Sequence, residues 1–335
     1  MTQKDIALKL NVSQATVSMA LKGSPRISQA LRDSVRKLVD DCGYRPNLAG
    51  QLLRRGRSNI IGAVFPSLRH GFHAELFQEL QRQLLPQGYL LYLCCAESRE
   101  ELVSVAGYLK QLQVAGVVAI GSAAEVLLPL REAGIALVFY GGDAPLEAEV
   151  SQVLPDRRSA GMEMTRYLIG RGRRRIAFIG ASNPDEPRFC GYRAALEEAG
   201  IGVDPALVLF AADAMGDGHR MMRQLLAEQP RVDAVFCHND ETAIGALRAA
   251  SEAGIRVPEQ LAVAGFDNIE AGRYFTPALT TVEQPRREIT DALVGELLAA
   301  LADPDHHRFV SIACRQVNRE SAQNFLLPCL YELTT

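Results

Sequence analysis

Asp5-Ile6-Ala7-Leu8-Lys9-Leu10-Asn11-Val12-Ser13-Gln14-Ala15-Thr16-Val17-Ser18-Met19-Ala20-Leu21 is the stretch on which the reading of this chain turns. Ile6, Ala7 and Leu10 fall at i, i+1 and i+4, one face of a short helix. Thr2 with Asp5 three residues later supplies its start signal. Asn11-Val12-Ser13 breaks the pattern, and Ser13 can cap a second helix over 14–21 with Val17, Ala20 and Leu21 turned inward. Lys22-Gly23-Ser24-Pro25 ends it. Ser28 can cap a third helix, with Leu31, Val35, Leu38 and Val39 on one face, and Gly43 stops it. Two short helices across a tight turn, then a third, make helix-turn-helix geometry, in which the second helix enters a DNA major groove. Gln14, Ala15, Ser18 and Met19 face away from the core. Gln bonds adenine bidentately, and Ala and Met can touch a thymine methyl. Ser13, Thr16 and Lys22 suit phosphate contacts, which set position rather than sequence. A generic three-helix bundle with a solvated polar face shares the same periodicity.

Charge points the same way. Residues 1–58 hold 11 Lys+Arg against 4 Asp+Glu, a balance of +7, so the rest of this chain of net charge −3 carries −10. A basic segment on an acidic body fits a nucleic-acid contact driven by counterion release.

Tyr44-Arg45-Pro46-Asn47-Leu48-Ala49-Gly50-Gln51-Leu52-Leu53-Arg54-Arg55 follows directly. With Asp5-Ile6-Ala7, Val12-Ser13-Gln14-Ala15-Thr16-Val17-Ser18, Gly43-Tyr44-Arg45-Pro46-Asn47 and Ile61-Gly62, the chain resembles the lactose/galactose-repressor family of bacterial transcription regulators. That resemblance implies a hinge helix over 46–57 that folds on DNA, to which Asn47 belongs. Leu53 matches the residue that wedges between base pairs in the minor groove, and Arg54 follows it. An apolar wedge kinks a flexible step, and arginines suit a narrow, electronegative groove.

Beyond residue 58 the pattern changes to strict alternation of buried strand and helix, which means parallel sheet. Strands are read over 60–66, 89–94, 116–120 and 135–140, with helices over 72–85, 100–114 and 124–133 between them. The alternation restarts at Arg175–Gly180 and continues through strands at 207–210, 234–237 and 261–265. The expected fold is an all-α helix-turn-helix headpiece plus an α/β periplasmic-binding-protein-like (type I) core of two doubly wound parallel-sheet lobes. Ligands of such cores sit in the crevice at the strand ends.

The resemblance extends over this body. It rests on Gly170-Arg171-Gly172-Arg173-Arg174-Arg175-Ile176-Ala177, Arg188-x-x-Gly191-Tyr192, Cys237-His238-Asn239-Asp240, Ala264-Gly265-Phe266-Asp267-Asn268, Tyr274–Val282 and Arg319-Glu320-Ser321. It implies a headpiece over 1–45 and a core over 58–335. One lobe would span about 58–155 and 286–314, the other about 156–285 and 315–335. It also implies an effector site. Arg188 matches the family's effector-binding arginine, Asn239 and Asp267 match polar ligands from two other strand ends, and Gln284 matches a residue near the lobe crossing. Phe72 and His73 match the ligand-contacting pair of the first loop. An Arg fork grips a carboxylate or vicinal oxygens, acids and amides bond hydroxyls, and an aromatic stacks on a sugar face. Plainer roles stand beside these: a surface ion pair for Arg188, a helix cap for Asn239-Asp240, a turn for Asp267-Asn268. Two departures bear on the ligand. Asp213 falls about where some members place an aromatic platform, and Gly141-Gly142 occupies a site where others carry an acid. Arg69 and His70 bring positive charge near the first loop, so a sugar acid or sugar phosphate competes with a neutral sugar.

Other classes find little support. There is no phosphate-binding, zinc-protease, nucleophile-elbow or dinucleotide motif in context, and the six histidines form no triad-like set, so neither an enzyme, a cofactor nor a metal is expected. The seven cysteines are scattered without zinc spacing and read as packing residues. No apolar run spans a membrane and no secretory signal opens the chain, which places the protein in the cytoplasm and argues against a transport-type sugar-binding protein. The expectation is a homodimeric, sequence-specific repressor of a carbohydrate-utilisation operon. It would bind double-stranded operator DNA under control of a sugar, sugar acid or sugar phosphate; a regulator answering to a protein partner is the alternative. Gly50 inside the hinge helix costs about 1 kcal/mol relative to Ala. Residues 47–55 should therefore be ordered only on specific DNA, and hydrogen-exchange protection there without DNA would contradict this.

Overall fold

The computed structural model describes residues 2–21, 23–43, 58–121, 124–142, 146, 149–180, 183–210 and 214–323. Lys22, Asn47, Leu53, Arg54 and Asp213, and with them the hinge segment, lie outside the described residues. The chain divides into two compact units, Met1–Ser58 and Asn59–Thr335.

The first unit is three helices, α1 (Gln3–Lys9), α2 (Gln14–Leu21) and α3 (Gln29–Asp41). Thr2 and Asp5 form a capping box: the Thr2 hydroxyl accepts from the Asp5 N–H at 3.3 Å, and the Asp5 carboxylate accepts from the Thr2 N–H at 2.7 Å. Asn11 takes φ +50°, a left-handed turn that its short polar side chain tolerates. The Ser13 hydroxyl then accepts from the Thr16 N–H at 3.0 Å and opens α2. Ile6, Ala7, Val17, Ala20, Ile27 and Val35 close the small core between the helices.

The second unit carries β1 (Ile60–Phe65), α4 (Gly71–Leu84), β2 (Leu90–Cys95), α5 (Arg99–Gln111), β3 (Gly116–Ile120), α6 (Ala124–Leu127), β4 (Ala136–Tyr140) and β5 (Ser151–Pro155). There follow α7 (Arg157–Gly170), β6 (Ile176–Gly180), α8 (Pro187–Glu198), β7 (Val208–Phe210), α9 (Met215–Glu228), β8 (Ala234–Cys237), α10 (Asp240–Glu252) and β9 (Ala262–Ala264). The last elements are β10 (Thr281–Glu283), α11 (Arg286–Ala302), β11 (Phe309–Ile312) and β12 (Arg315–Val317). Six strands form one all-parallel sheet in the order β11-β5-β4-β3-β1-β2, and four form a second in the order β7-β6-β8-β9. Central strands such as β3, β6 and β8 are buried at every position, because helices cover both faces. The chain passes between the sheets after β5, after β10 and after β11, and the antiparallel ribbon β10–β12 joins two of these passages.

One expected helix is only partly helical. Over 124–133 the α-helix stops at Leu127 and a 3-10 helix, Leu128–Ala133, completes the segment. Pro129 is the reason: it has no N–H to donate, and its ring clashes with the carbonyl of a preceding α-turn.

Close packing of two helix pairs is set by glycines. A Cβ at Gly191 would lie 2.1 Å from the Arg158 carbonyl oxygen, and one at Gly161 would lie 2.6 Å from that of Arg188. The α7 and α8 backbones thus touch at their first turns, and α9 and α10 repeat the device through Gly218 and Gly245. In both sheets the second strand of the chain lies outside the first and the third lies on its other side. Two neighbouring loops therefore leave in opposite directions at the strand ends and open a crevice, between β1 and β3 in one sheet and β6 and β8 in the other.

Candidate functional site

On α2, Ser13, Gln14 and Ala15 are exposed, whereas Thr16, Ser18 and Met19 are half-buried and Met19 leans on the helical core. The Ser13 hydroxyl is already engaged, as the helix cap and in a 2.8 Å contact with the Thr16 hydroxyl.

In the larger unit, loops from both sheets converge on a chain of buried polar groups. The Tyr140 hydroxyl, at the end of β4, donates to Gln284 Oε1 at 2.8 Å, and the Gln284 amide donates to Asp267. Gln284 follows β10 and Asp267 follows β9, so one hydrogen-bonded chain spans the two sheets at a crossing. Asp267 and Asn268 both take left-handed backbone, φ +109° and +53°, a turn that swings the Asp267 carboxylate off the strand end. Burial pushes the Asp267 carboxyl up to about 6, against the pull of the Arg188 charge.

Arg188 stands in the first turn of α8, only 9% exposed. Its Nη1 donates to the His238 carbonyl oxygen at 3.0 Å and lies 3.4 Å from Glu186, while its guanidinium rests 4.6 Å from the centre of the Phe266 ring. Asn239 is buried and caps α10 by accepting from the Thr242 N–H at 2.8 Å. Phe72 is also buried, packed face to face with Tyr140 at a 6.1 Å centroid distance. His73 is half-buried and its Nδ1 contacts the Ser67 carbonyl oxygen at 2.9 Å. Arg188, Asp267, Gln284, Phe72 and His73 thus come from four separate loops or helix starts around the same strand ends.

Two residues of this region, Glu241 and Arg157, carry no signature in the sequence. Glu241, in α10, accepts from the Gly71 N–H at the start of α4 at 2.7 Å and faces His70 at 4.0 Å. Burial opposes its charge, but the hydrogen bonds from His70 and Gly71 hold its carboxyl below the ordinary glutamate value. This contact clasps one sheet's helix to the other's. Asp240 beside it receives the Ile269 N–H at 2.9 Å and the Thr281 hydroxyl at 2.5 Å, with its carboxyl held well above the ordinary value by burial and by facing Asp267. Arg157, at the start of α7, lies over the Tyr140 ring, 5.9 Å from its centre. Arg69 is exposed and turned toward Glu97, 3.8 Å away. A cavity of about 600 Å³ adjoins the crevice at Phe65, Gly121 and Gly141, and among the described residues its lining comes from the first sheet alone. Also among the described residues, no group of three or more His, Cys, Asp or Glu is placed to hold a metal, and no helix is long and apolar enough to cross a membrane.

A helix-turn-helix in the first unit, and two like-ordered parallel sheets meeting over a buried polar chain in the second, define a DNA-binding regulator with a ligand-binding core. Comparison with known proteins agrees. Residues 2–47 match the bacterial regulatory proteins of the lacI family, and residues 165–322 match a periplasmic binding protein-like domain. The HTH-type transcriptional repressor CytR of Escherichia coli K12 is 33% identical over 295 residues, covering 86% of each chain. PurR, an HTH-type transcriptional repressor of E. coli O139:H28, is 31% identical over 330 residues, 96% of each chain. Among solved structures, a complex of the regulator CelR with cellobiose superposes with a TM-score of 0.73 at 29% identity, covering 96% of this chain and 99% of that one. The lac repressor dimer bound to operator shares the fold with a TM-score of 0.85 at 21% identity, covering 97% of this chain and 99% of that one. The chain belongs to the lacI family of bacterial regulatory proteins, and is a DNA-binding transcriptional repressor rather than an enzyme.

The Asp267 carboxyl gives a pH test. Its folded value, about 6, lies above the ordinary 3.8, so the buried charge destabilises the fold above pH 6, and the penalty disappears as pH falls from 6 toward 3.8. Asp267→Asn keeps an acceptor for Gln284 and removes the charge. At pH 8 the variant should be more stable than the parent by roughly 1–3 kcal/mol, with the difference vanishing by about pH 4. Denaturant unfolding across that range checks it, and a pH-independent difference would contradict it.

Proposed function

We propose that the crevice between the two sheets binds a small polyhydroxylated effector, and that its occupancy sets the affinity of the helix-turn-helix for operator DNA. Arg188, Asp267 and Gln284 are the residues to hold the ligand's oxygens, with Asn239 at the head of α10 beside them. Phe72 and His73 form the wall from the first loop. The observation that carries this is the hydrogen-bonded chain Tyr140–Gln284–Asp267, which brings ionisable and amide groups from both sheets to one place. A few polar groups converging at the strand ends of this fold are what fixes a small ligand's orientation in such a crevice. Relatives support the class of ligand: one similar structure holds cellobiose, and a lacI-family regulator of Enterococcus faecium, 26% identical, was solved with bound ribose.

The DNA side of the proposal uses Gln14, Ala15, Ser18 and Met19 for bases and Ser13, Thr16, Lys22 and Asn47 for the backbone, with Leu53 and Arg54 in the minor groove. The basic balance of residues 1–58 supplies the attraction to phosphate. The protein acts as a homodimer, because two headpieces are needed to read two half-sites. Ligand bound across the crevice favours one setting of the two sheets over another, and the contact of Glu241 with the start of α4 is one that such a change would alter. That differential binding is what a ligand needs to shift a two-state equilibrium.

A thermal-shift titration with sugars and their acid and phosphate forms tests the crevice. A binding compound should raise the melting temperature saturably, and Arg188→Ala should abolish the rise by removing charge-assisted bonds of about 1.5–3 kcal/mol. A rise unchanged in Arg188→Ala would overturn the assignment of the site.

A further inference from the structure

We propose that Arg157 makes this crevice selective for a polyhydroxylated ligand bearing an oxyanion, a carboxylate or a phosphate monoester, and that Gly141 is the residue that admits it. The proposal rests on the reading of the crevice as the effector site.

Arg157 is the first residue of α7, placed where the chain leaves β5 for the second sheet. Its side chain folds back over Tyr140, the first member of the buried polar chain, and Nη1 lies 3.5 Å from the Gly142 carbonyl oxygen. The guanidinium therefore stands at the edge of the Tyr140–Gln284–Asp267 chain, and its charge is felt by Asp267 and by Cys314, as is that of Arg188. The two arginines act on the same carboxyl, Asp267, from the first turns of adjacent helices. Those turns touch, since a Cβ added at Gly191 or Gly161 would collide with the facing backbone. The helices have 14 and 12 residues, so the positive ends of two macrodipoles add to the potential there.

What sets Arg157 apart is that, among the described residues, no carboxylate forms an ion pair with it. Around the crevice, Arg188 lies 3.4 Å from Glu186, Arg286 lies 2.9 Å from Glu75, and Arg69 lies 3.8 Å from Glu97. Among the described residues, no Asp or Glu forms an ion pair with Arg157, and its buried Nε has no hydrogen-bond partner. A half-buried guanidinium without a carboxylate partner is poorly matched to a neutral sugar and well matched to a carboxylate or phosphate, whose two oxygens fit the fork.

Gly141 makes the arrangement possible. It adopts φ +77°, and a Cβ there would stand 3.0 Å from Nη2 of Arg157. Any other residue at 141 would strain the backbone and crowd the guanidinium. An acid at this position would neutralise it.

The test uses the full-length chain and matched sets of pentoses and hexoses, each as the neutral sugar, the aldonate and the sugar phosphate. Affinity is measured by calorimetry on the parent and on Arg157→Gln and Arg157→Lys, with ligand-free melting temperatures to show that the variants fold. The account expects an anionic form to bind more tightly than its neutral counterpart. Arg157→Gln should weaken the anion roughly 10- to 100-fold and leave the neutral form nearly unchanged. Arg157→Lys keeps the charge without the fork and should fall between. Preference for aldonates or for phosphates identifies which oxyanion the site takes. Binding of neutral sugars in preference to their anions, or an anion affinity within twofold in Arg157→Gln, overturns the proposal and leaves the crevice reading intact. No binding by any member of the sets overturns both.

Discussion

A carboxyl group taken out of water must find partners for its oxygens or give up its charge, and Asp267 is placed where both pressures meet. It sits on left-handed backbone between the two sheets, receives the Gln284 amide, and feels Arg188 and Arg157 from two helix starts. Much of the core is arranged around that requirement. Gln284 must follow β10 closely enough to reach it, Tyr140 must end β4 with its hydroxyl turned toward Gln284, and the bond between them is 2.8 Å long. The three passages of the chain between the sheets lie beside this network, so its geometry and the relative setting of the sheets are the same problem.

Asp240 and Glu241 show how adjacent acids take different work. Asp240 is locked to the Ile269 N–H and the Thr281 hydroxyl, and so fixes the loop that carries Asp267. Glu241, one residue on, leaves its own sheet and reaches the N–H of Gly71 across the crevice. A carboxylate at a helix N-terminus is favoured by the dipole of that helix. With the Tyr140–Gln284–Asp267 chain, this charge-assisted contact ties the two sheets together on the face where the crevice opens.

Much of this was legible in the sequence for a physical reason. Helical periodicity and short polar caps are local, so Thr2, Asp5 and Ser13 announced α1 and α2, and unbroken apolar runs announced the buried parallel strands. Pro129 was legible too, yet the apolar spacing of 124–133 masked its effect. The short strands β5, β10, β11 and β12 were not recoverable, because each exists only through pairing with a partner elsewhere in the fold; β11 pairs with a strand more than 150 residues earlier. The site divides along the same line. Arg188, Asp267 and Gln284 lay in patterns that could be matched, whereas Glu241 and Arg157 gain meaning only from Gly71, Tyr140 and Gly141, which the fold alone brings near. Gly141-Gly142 was visible as a missing acid; that the space would be taken by an arginine was not.

The central claim is that occupancy of the crevice and affinity for DNA are one linked equilibrium. The direct test is operator affinity of the full-length protein at fixed salt, on a sequence selected from random DNA by the protein itself, with and without saturating crevice ligand. The account predicts a change of roughly 5- to 150-fold, and by reciprocity an equal change in ligand affinity when operator is bound. A ligand that binds the crevice tightly and leaves operator affinity unchanged would contradict it.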